Sequence, residues 1–154
     1  MKKYKLLFIS IILISITTII WFGINFAPGS YPYTEEYEIN ASESILIKSI
    51  EDFKIDNPKY NVPEYLGLKD GRFSNSEHWY HIYFYYPEEN QILHTWIRPI
   101  EKQKTTFALV SVNQGLALGQ WKEINHDFNN SENKTEKEKF ENRILKRINE
   151  SLPK

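Results

Sequence analysis

The stretch 78-HWYHIYFYYPEENQILHTWIRPIEKQKTTFALVSVN-113 decides the fold. It is dense in aromatic and β-branched residues, which favour strands, and it is broken twice by polar clusters. The breaks, Pro87-Glu88-Glu89-Asn90 and Glu101-Lys102-Gln103-Lys104, are short enough to be hairpin turns. The pattern predicts three antiparallel strands, His78 to Tyr86, Gln91 to Ile100 and Thr105 to Asn113. Centring the first turn between Glu88 and Glu89 pairs Tyr80 with Ile97, Ile82 with Thr95 and Phe84 with Leu93. Centring the second between Lys102 and Gln103 adds Ala108, Val110 and Val112 to that apolar face, which is the expected core side.

The opposite face then carries Trp79 beside Arg98, His81 beside Trp96, and Tyr83 beside His94, with Phe107, Leu109 and Ser111 extending it. That set is too aromatic for an ordinary solvated sheet. Two readings follow. Either Trp79, His81, Tyr83, His94, Trp96 and Arg98 form a surface for a partner or ligand, or the 66–76 loop or the Gly115 to Phe128 segment roofs them as a second small core.

Outward from the hairpins, Glu36 to Ile39 alternates as a short strand. Asn40 with Glu43 is a capping-box-like start for an amphipathic helix over 41–55, with Leu46, Ile47, Ile50 and Phe53 at helical spacing. Asn57-Pro58 stops it. Lys59 to Ser76 reads as a long connection. A last helix, opened by Thr135 and Glu138, sets Phe140, Ile144, Ile148 and Leu152 in one stripe. The expected domain, residues 35–154, is therefore an α+β, two-layer fold, β-α-β-β-β-α. It pairs an antiparallel sheet of three to four strands with two helices.

The N-terminus is of another character. Residues 1–5 are a basic tip with Lys2, Lys3 and Lys5, and Leu6 to Phe26 follow as 21 positions without a charge. A helix needs roughly 20 apolar residues to cross a bilayer. The run is longer than a cleaved signal's apolar core, and bulky Phe26 spoils the one available cleavage point. The expectation is a single-pass signal-anchor whose partner is the lipid bilayer. The lysines keep the N-terminus cytoplasmic. Residues 27–34, rich in Pro and Gly, serve as a spacer, and the domain lies in the periplasm of a bacterial inner membrane.

Removing the three lysines of the tip from 19 Lys+Arg leaves 16 against 20 Asp+Glu, so the exported part carries −4. That excludes an ordinary nucleic-acid binder, which needs a basic footprint. The absence of cysteine rules out a lipidated-cysteine anchor and a disulfide framework.

Catalytic patterns are sparse, and no catalytic, cofactor or metal residue is assigned. His78 and His81 point to opposite faces of a strand. His81 and His94 share a face, but zinc requires three or four ligands and no carboxylate falls naturally beside them. Ser111 beside His94 has no evident orienting acid. The leading expectation is a non-enzymatic binding or interaction module of the envelope, taking a protein or small ligand. The alternative is an envelope-acting hydrolase or metal-dependent enzyme using His81 and His94, with Ser111 or Glu123.

The segments WYHIYFYYPEEN, TWIRP, TTFALVSVN, WKEINHDF and KFENRILKRI, behind one anchor, resemble those of small membrane-anchored proteins of Bacteroidetes-type bacteria. The resemblance spans most of residues 31–150. It implies lineage and localisation only, since that family has no assigned activity.

Overall fold

The computed structural model describes residues 12–21 and 31–153. The chain divides into two units, Met1–Pro32 and Tyr33–Lys154. In the first, residues 12–21 are helical and exposed throughout. No helix among the described residues is long and apolar enough to cross a membrane. Residues 6–11 and 22–26 of the expected span, and most of the 27–34 spacer, lie outside the described residues.

The second unit is α+β. Its elements run β1 (Glu35–Ile39), α1 (Glu43–Asp56), 3-10 turns at Pro58–Tyr60 and Glu64–Leu66, β2 (Tyr80–Tyr86), β3 (Gln91–Glu101), β4 (Lys104–Gln114) and β5 (Trp121–Glu123). The C-terminal helix begins as α2 (Asn130–Phe140), passes through a π-helical segment, Glu141–Leu145, and ends as α3 (Lys146–Ser151). The sheet is fully antiparallel with order β1-β4-β3-β2, and β5 also pairs with β4. It has five strands rather than three to four, because Trp121–Glu123 adds along Ser111–Asn113 beyond the reach of β1.

The β2–β3 register is the one the first turn dictates: Tyr80 opposite Ile97, Ile82 opposite Thr95, Phe84 opposite Leu93. The β3–β4 register departs from expectation through two bulges. Ile100 is the extra residue between the Pro99–Thr105 and Glu101–Lys104 pairs. Val110 is the extra residue between the Thr95–Leu109 and His94–Ser111 pairs, and it restores the original phase. Between the bulges every side chain of β4 is turned over, since strand side chains alternate with period two. Phe107 and Leu109 therefore enter the core and Ala108 lies opposite Trp96, the reverse of the expected assignment. The exchange makes packing sense. The larger side chains fill the helix-covered side, and small Ala108 and Ser111 leave room across from Trp96 and His94.

Both helices bury one stripe on this core face. Leu46, Ile50 and Phe53 of α1 join Phe140, Ile144 and Ile148 of the C-terminal helix. Ring packing locks the join, with Phe107 and Phe140 edge to face at 5.2 Å. Two buried threonines on the sheet are satisfied by the backbone: the Thr95 hydroxyl donates to the Ile82 carbonyl at 2.8 Å, and that of Thr105 to the Ala41 carbonyl at 2.8 Å. Helix starts differ from expectation by a few residues. Ser42, not Asn40, caps α1, accepting from Ile45 N–H. Asn129 and Glu132, not Thr135 and Glu138, form the capping box of α2. Thr135 is already inside the helix and returns its hydroxyl to the Ser131 carbonyl at 2.9 Å.

Candidate functional site

β2 is an edge strand, and the loop before it settles what its free edge does. Gly71 pairs with His81 through two backbone hydrogen bonds of 2.9 Å, at a φ of 143° that suits glycine. One residue earlier, Asp70 accepts the Tyr83 N–H at 2.9 Å through Oδ1 and holds the Lys54 ammonium through Oδ2. Lys54, on α1, also donates to the Tyr83 carbonyl at 2.7 Å and lies 4.8 Å from the centre of the Phe84 ring. Burial lowers the Lys54 pKa, and Asp70 opposes that shift. A loop, a helix and an edge strand are thus tied at one point.

The tie aims the rest of the loop at the aromatic face. Phe73, 69% exposed, stacks on the His81 ring with centroids 4.3 Å apart. Its N–H donates to Oε2 of Glu77, whose Oε1 lies 2.7 Å from His81 Nε2. His81 Nδ1 is in turn 2.8 Å from His94 Nε2. His94 stacks on Tyr83 at 5.0 Å, and Trp121 of β5 closes on the same ring, edge to face, at 6.1 Å. Trp79 tilts against Trp96 at 6.4 Å.

A polar thread, Glu77 to His81 to His94, therefore runs through a stack of aromatic rings. Burial pushes the Glu77 carboxyl upward, but hydrogen bonds from His81 and the Phe73 N–H outweigh it and hold the group below the usual range. His94 is pushed down to about 3, by burial first and the neighbouring His81 second, with Glu77 opposing. The network assigns the tautomers for two neutral rings. His81 donates from Nε2 to Glu77, its Nδ1 accepts from His94 Nε2–H, and the lone pair of His94 rests on Nδ1.

The six residues expected to form a surface divide by depth. His81 is completely buried, Trp96 is 2% exposed and Tyr83 7%. Trp79 and His94 are half-buried, and Arg98, in register with Thr106, is exposed. Ser111 sits opposite His94 as expected, whereas Phe107 and Leu109 leave this face for the core. His126 lies apart from the His81–His94 pair. It stacks on Tyr33 at 4.3 Å and, with Glu123 and Asp127, forms the one group of three possible metal donors among the described residues, at an exposed turn.

Sequence reasoning did not reach Glu77, Phe73, Asp70 or Lys54. Three of these lie in a loop without periodicity, and the fourth is a helix lysine with no mark of its burial. No family model matches the chain, and neither a curated protein nor a solved structure matches it.

Proposed function

We propose that the chain is a membrane-tethered, extracytoplasmic domain of a bacterial envelope, with a cytoplasmic N-terminus, and that it acts as a binding or interaction module rather than an enzyme. The observation that carries the tether is the run from Leu6 to Phe26 together with the state of its described part. Residues 12–21 form a helix without a charge, and Ile14, Ile19 and Trp21 are 65%, 71% and 60% exposed. The Thr17 and Thr18 hydroxyls return to the Leu13 and Ile14 carbonyls, and an uncharged helix that exposes its apolar side chains in this way suits an apolar medium. Ten residues cover about 15 Å, half of a roughly 30 Å hydrocarbon layer. The resemblance to small anchored Bacteroidetes-type proteins points the same way.

For binding, the relevant features are the half-buried Trp79 and His94, the exposed Phe73 at the mouth of the ring stack, and exposed Arg98. The ring nitrogens between His81 and His94 face each other rather than a shared ligand position.

Fractionation with protease accessibility on intact and opened cells tests the topology. The expected result is membrane-bound protein whose domain is cut from outside the cytoplasm. Recovery in the soluble fraction, or digestion only from the cytoplasmic side, would overturn the reading.

One observation favours the metal-dependent alternative. A carboxylate on the far nitrogen of a histidine is how metal-ligating imidazoles are oriented, and Glu77 stands so to His81. Metal analysis of the purified full-length protein separates the two. Stoichiometric zinc, lost in a His81→Ala, His94→Ala double variant, would replace the binding-module proposal.

A further inference from the structure

The core face of the sheet changes character at one end. Gln91 opens β3 opposite Gln114, the last residue of β4, and Lys122 of β5 lies opposite Val112. By strand parity all three side chains lie on the side that elsewhere carries Leu93 and Val112. The first two turns of α2 cross this end with Ser131, Glu132, Thr135 and Glu136, and Phe128 closes it. Between them is a cavity of about 330 Å³, at the lower end of the range for small-molecule sites.

Two of its walls hold buried oxygens without partners. Gln91 is 6% exposed and Glu136 7%, and neither Gln91 Oε1 nor Glu136 Oε2 meets a hydrogen-bond donor. Tyr86, in register with Gln91, has a buried hydroxyl in the same condition. Native interiors rarely leave such groups unmet. Neither side-chain oxygen reaches bulk solvent, but the terminal torsions of Gln and Glu are broad, so a small rotation turns either toward an incoming donor.

The geometry points to a binding site for a neutral, hydroxyl-rich molecule the size of a single sugar. The unmet groups of the two lining residues, Gln91 Oε1 and Glu136 Oε2, are acceptors, so the ligand must donate. It must also accept, because the Lys122 ammonium stands at the wall, 5.2 Å from the centre of the Phe128 ring. Hydroxyls do both. Charge is already balanced: Glu132, Glu136 and Lys122 line the cavity, and Lys139 is bound to Glu136 Oε1 at 2.8 Å. A charged ligand would upset that balance. The site lies on the opposite side of the sheet from the aromatic stack and does not depend on the tether. Failure of one proposal therefore leaves the other standing.

The test is an NMR titration of isotope-labelled full-length protein in phosphatidylcholine nanodiscs, which avoid sugar-headed detergents. Glucose, galactose and mannose are the probes, with methylammonium as the cationic comparison. At least one sugar should move the amides of Gln91, Gln114, Lys122 and residues 131–136 saturably. Gln91→Leu should weaken that binding about tenfold, as loss of one ligand hydrogen bond does. Lys122→Met, at an exposed position, should weaken it likewise and keeps the test valid if Gln91→Leu unfolds. Silence from all three sugars would mean that ordered water alone fills the cavity and would overturn the inference. So would saturation by methylammonium only, or undiminished sugar binding in Lys122→Met.

Discussion

Replacing His94 with Phe should change how stability depends on pH. His94 titrates near 6.5 when unfolded and at about 3 when folded. Between those values the unfolded chain takes a proton that the folded chain refuses, so stability falls as pH drops from 6.5 toward 3 and is unaffected by this group above 6.5. Each pH unit in the window is worth about 1.4 kcal/mol, which gives roughly 2 kcal/mol by pH 5 and up to about 5 kcal/mol at pH 3. The upper part of the window is the informative one. Glu77 is held low, so its contribution is present above its unfolded value near 4.5 and is lost only below that. Phe keeps the stack on Tyr83 and His81 while removing the titrating nitrogen. Guanidinium denaturation of full-length protein at pH 7.5, 6.5 and 5, with m held in common, measures the difference. The wild type should lose about 2 kcal/mol more than the variant between pH 6.5 and 5. Parallel pH profiles would refute the reasoning, since they would mean that His94 takes a proton in the folded state as readily as in the unfolded one.

Trp96→Ala should cost about 3–5 kcal/mol in chemical denaturation, the range for a buried Trp, and a loss under about 1 kcal/mol would mark an open surface instead. Asp70→Ala removes the partner of Lys54, whose side chain is 13% exposed, and the acceptor of the Tyr83 N–H. With Asp70 itself partly in solvent, the expected loss is about 1–3 kcal/mol. Hydrogen exchange should accelerate at His81 and Tyr83, and unchanged protection there would count against the tie at Asp70 and Gly71. The bulge assignment predicts that Phe107→Ala costs about 3–5 kcal/mol and that Ala108→Leu costs about 1–3 kcal/mol by crowding Trp96. A harmless Phe107→Ala would restore the unbulged register.

The fold was legible where chain symmetry carried it. The four-residue link 87–90 leaves one compact way to close, so the β2–β3 pairs follow from the sequence alone. The β4 faces were not legible, because Val110 continues the apolar run from Phe107 and no glycine announces either bulge. What fixes them is the choice between Phe107 and Ala108 for a core that only the folded helices define. The start of the last helix was obscured in a similar way. Asn129 and Glu132 are a proper capping pair, but residues 130–139 carry no apolar stripe, and attention falls on the later Thr135 and Glu138. In the candidate site, the histidine pair and its aromatic neighbours could be read from register. The carboxylate that orients them could not, because Glu77 reaches His81 from a loop whose course depends on the Gly71 pairing and on Lys54 from a distant helix.

That same pairing has a consequence for how the protein keeps its own company. β2 reads YHIYFYY, seven residues with no formal charge, no proline and no glycine, the composition of segments that stack into cross-β fibrils. It stands at the margin of the sheet, where an identical strand from a neighbouring molecule would find a template. The loop around Asp70 and Gly71 occupies that template with its own backbone and one carboxylate. The short segment 70–71 thus serves the molecule as a guard against its own most adhesive strand.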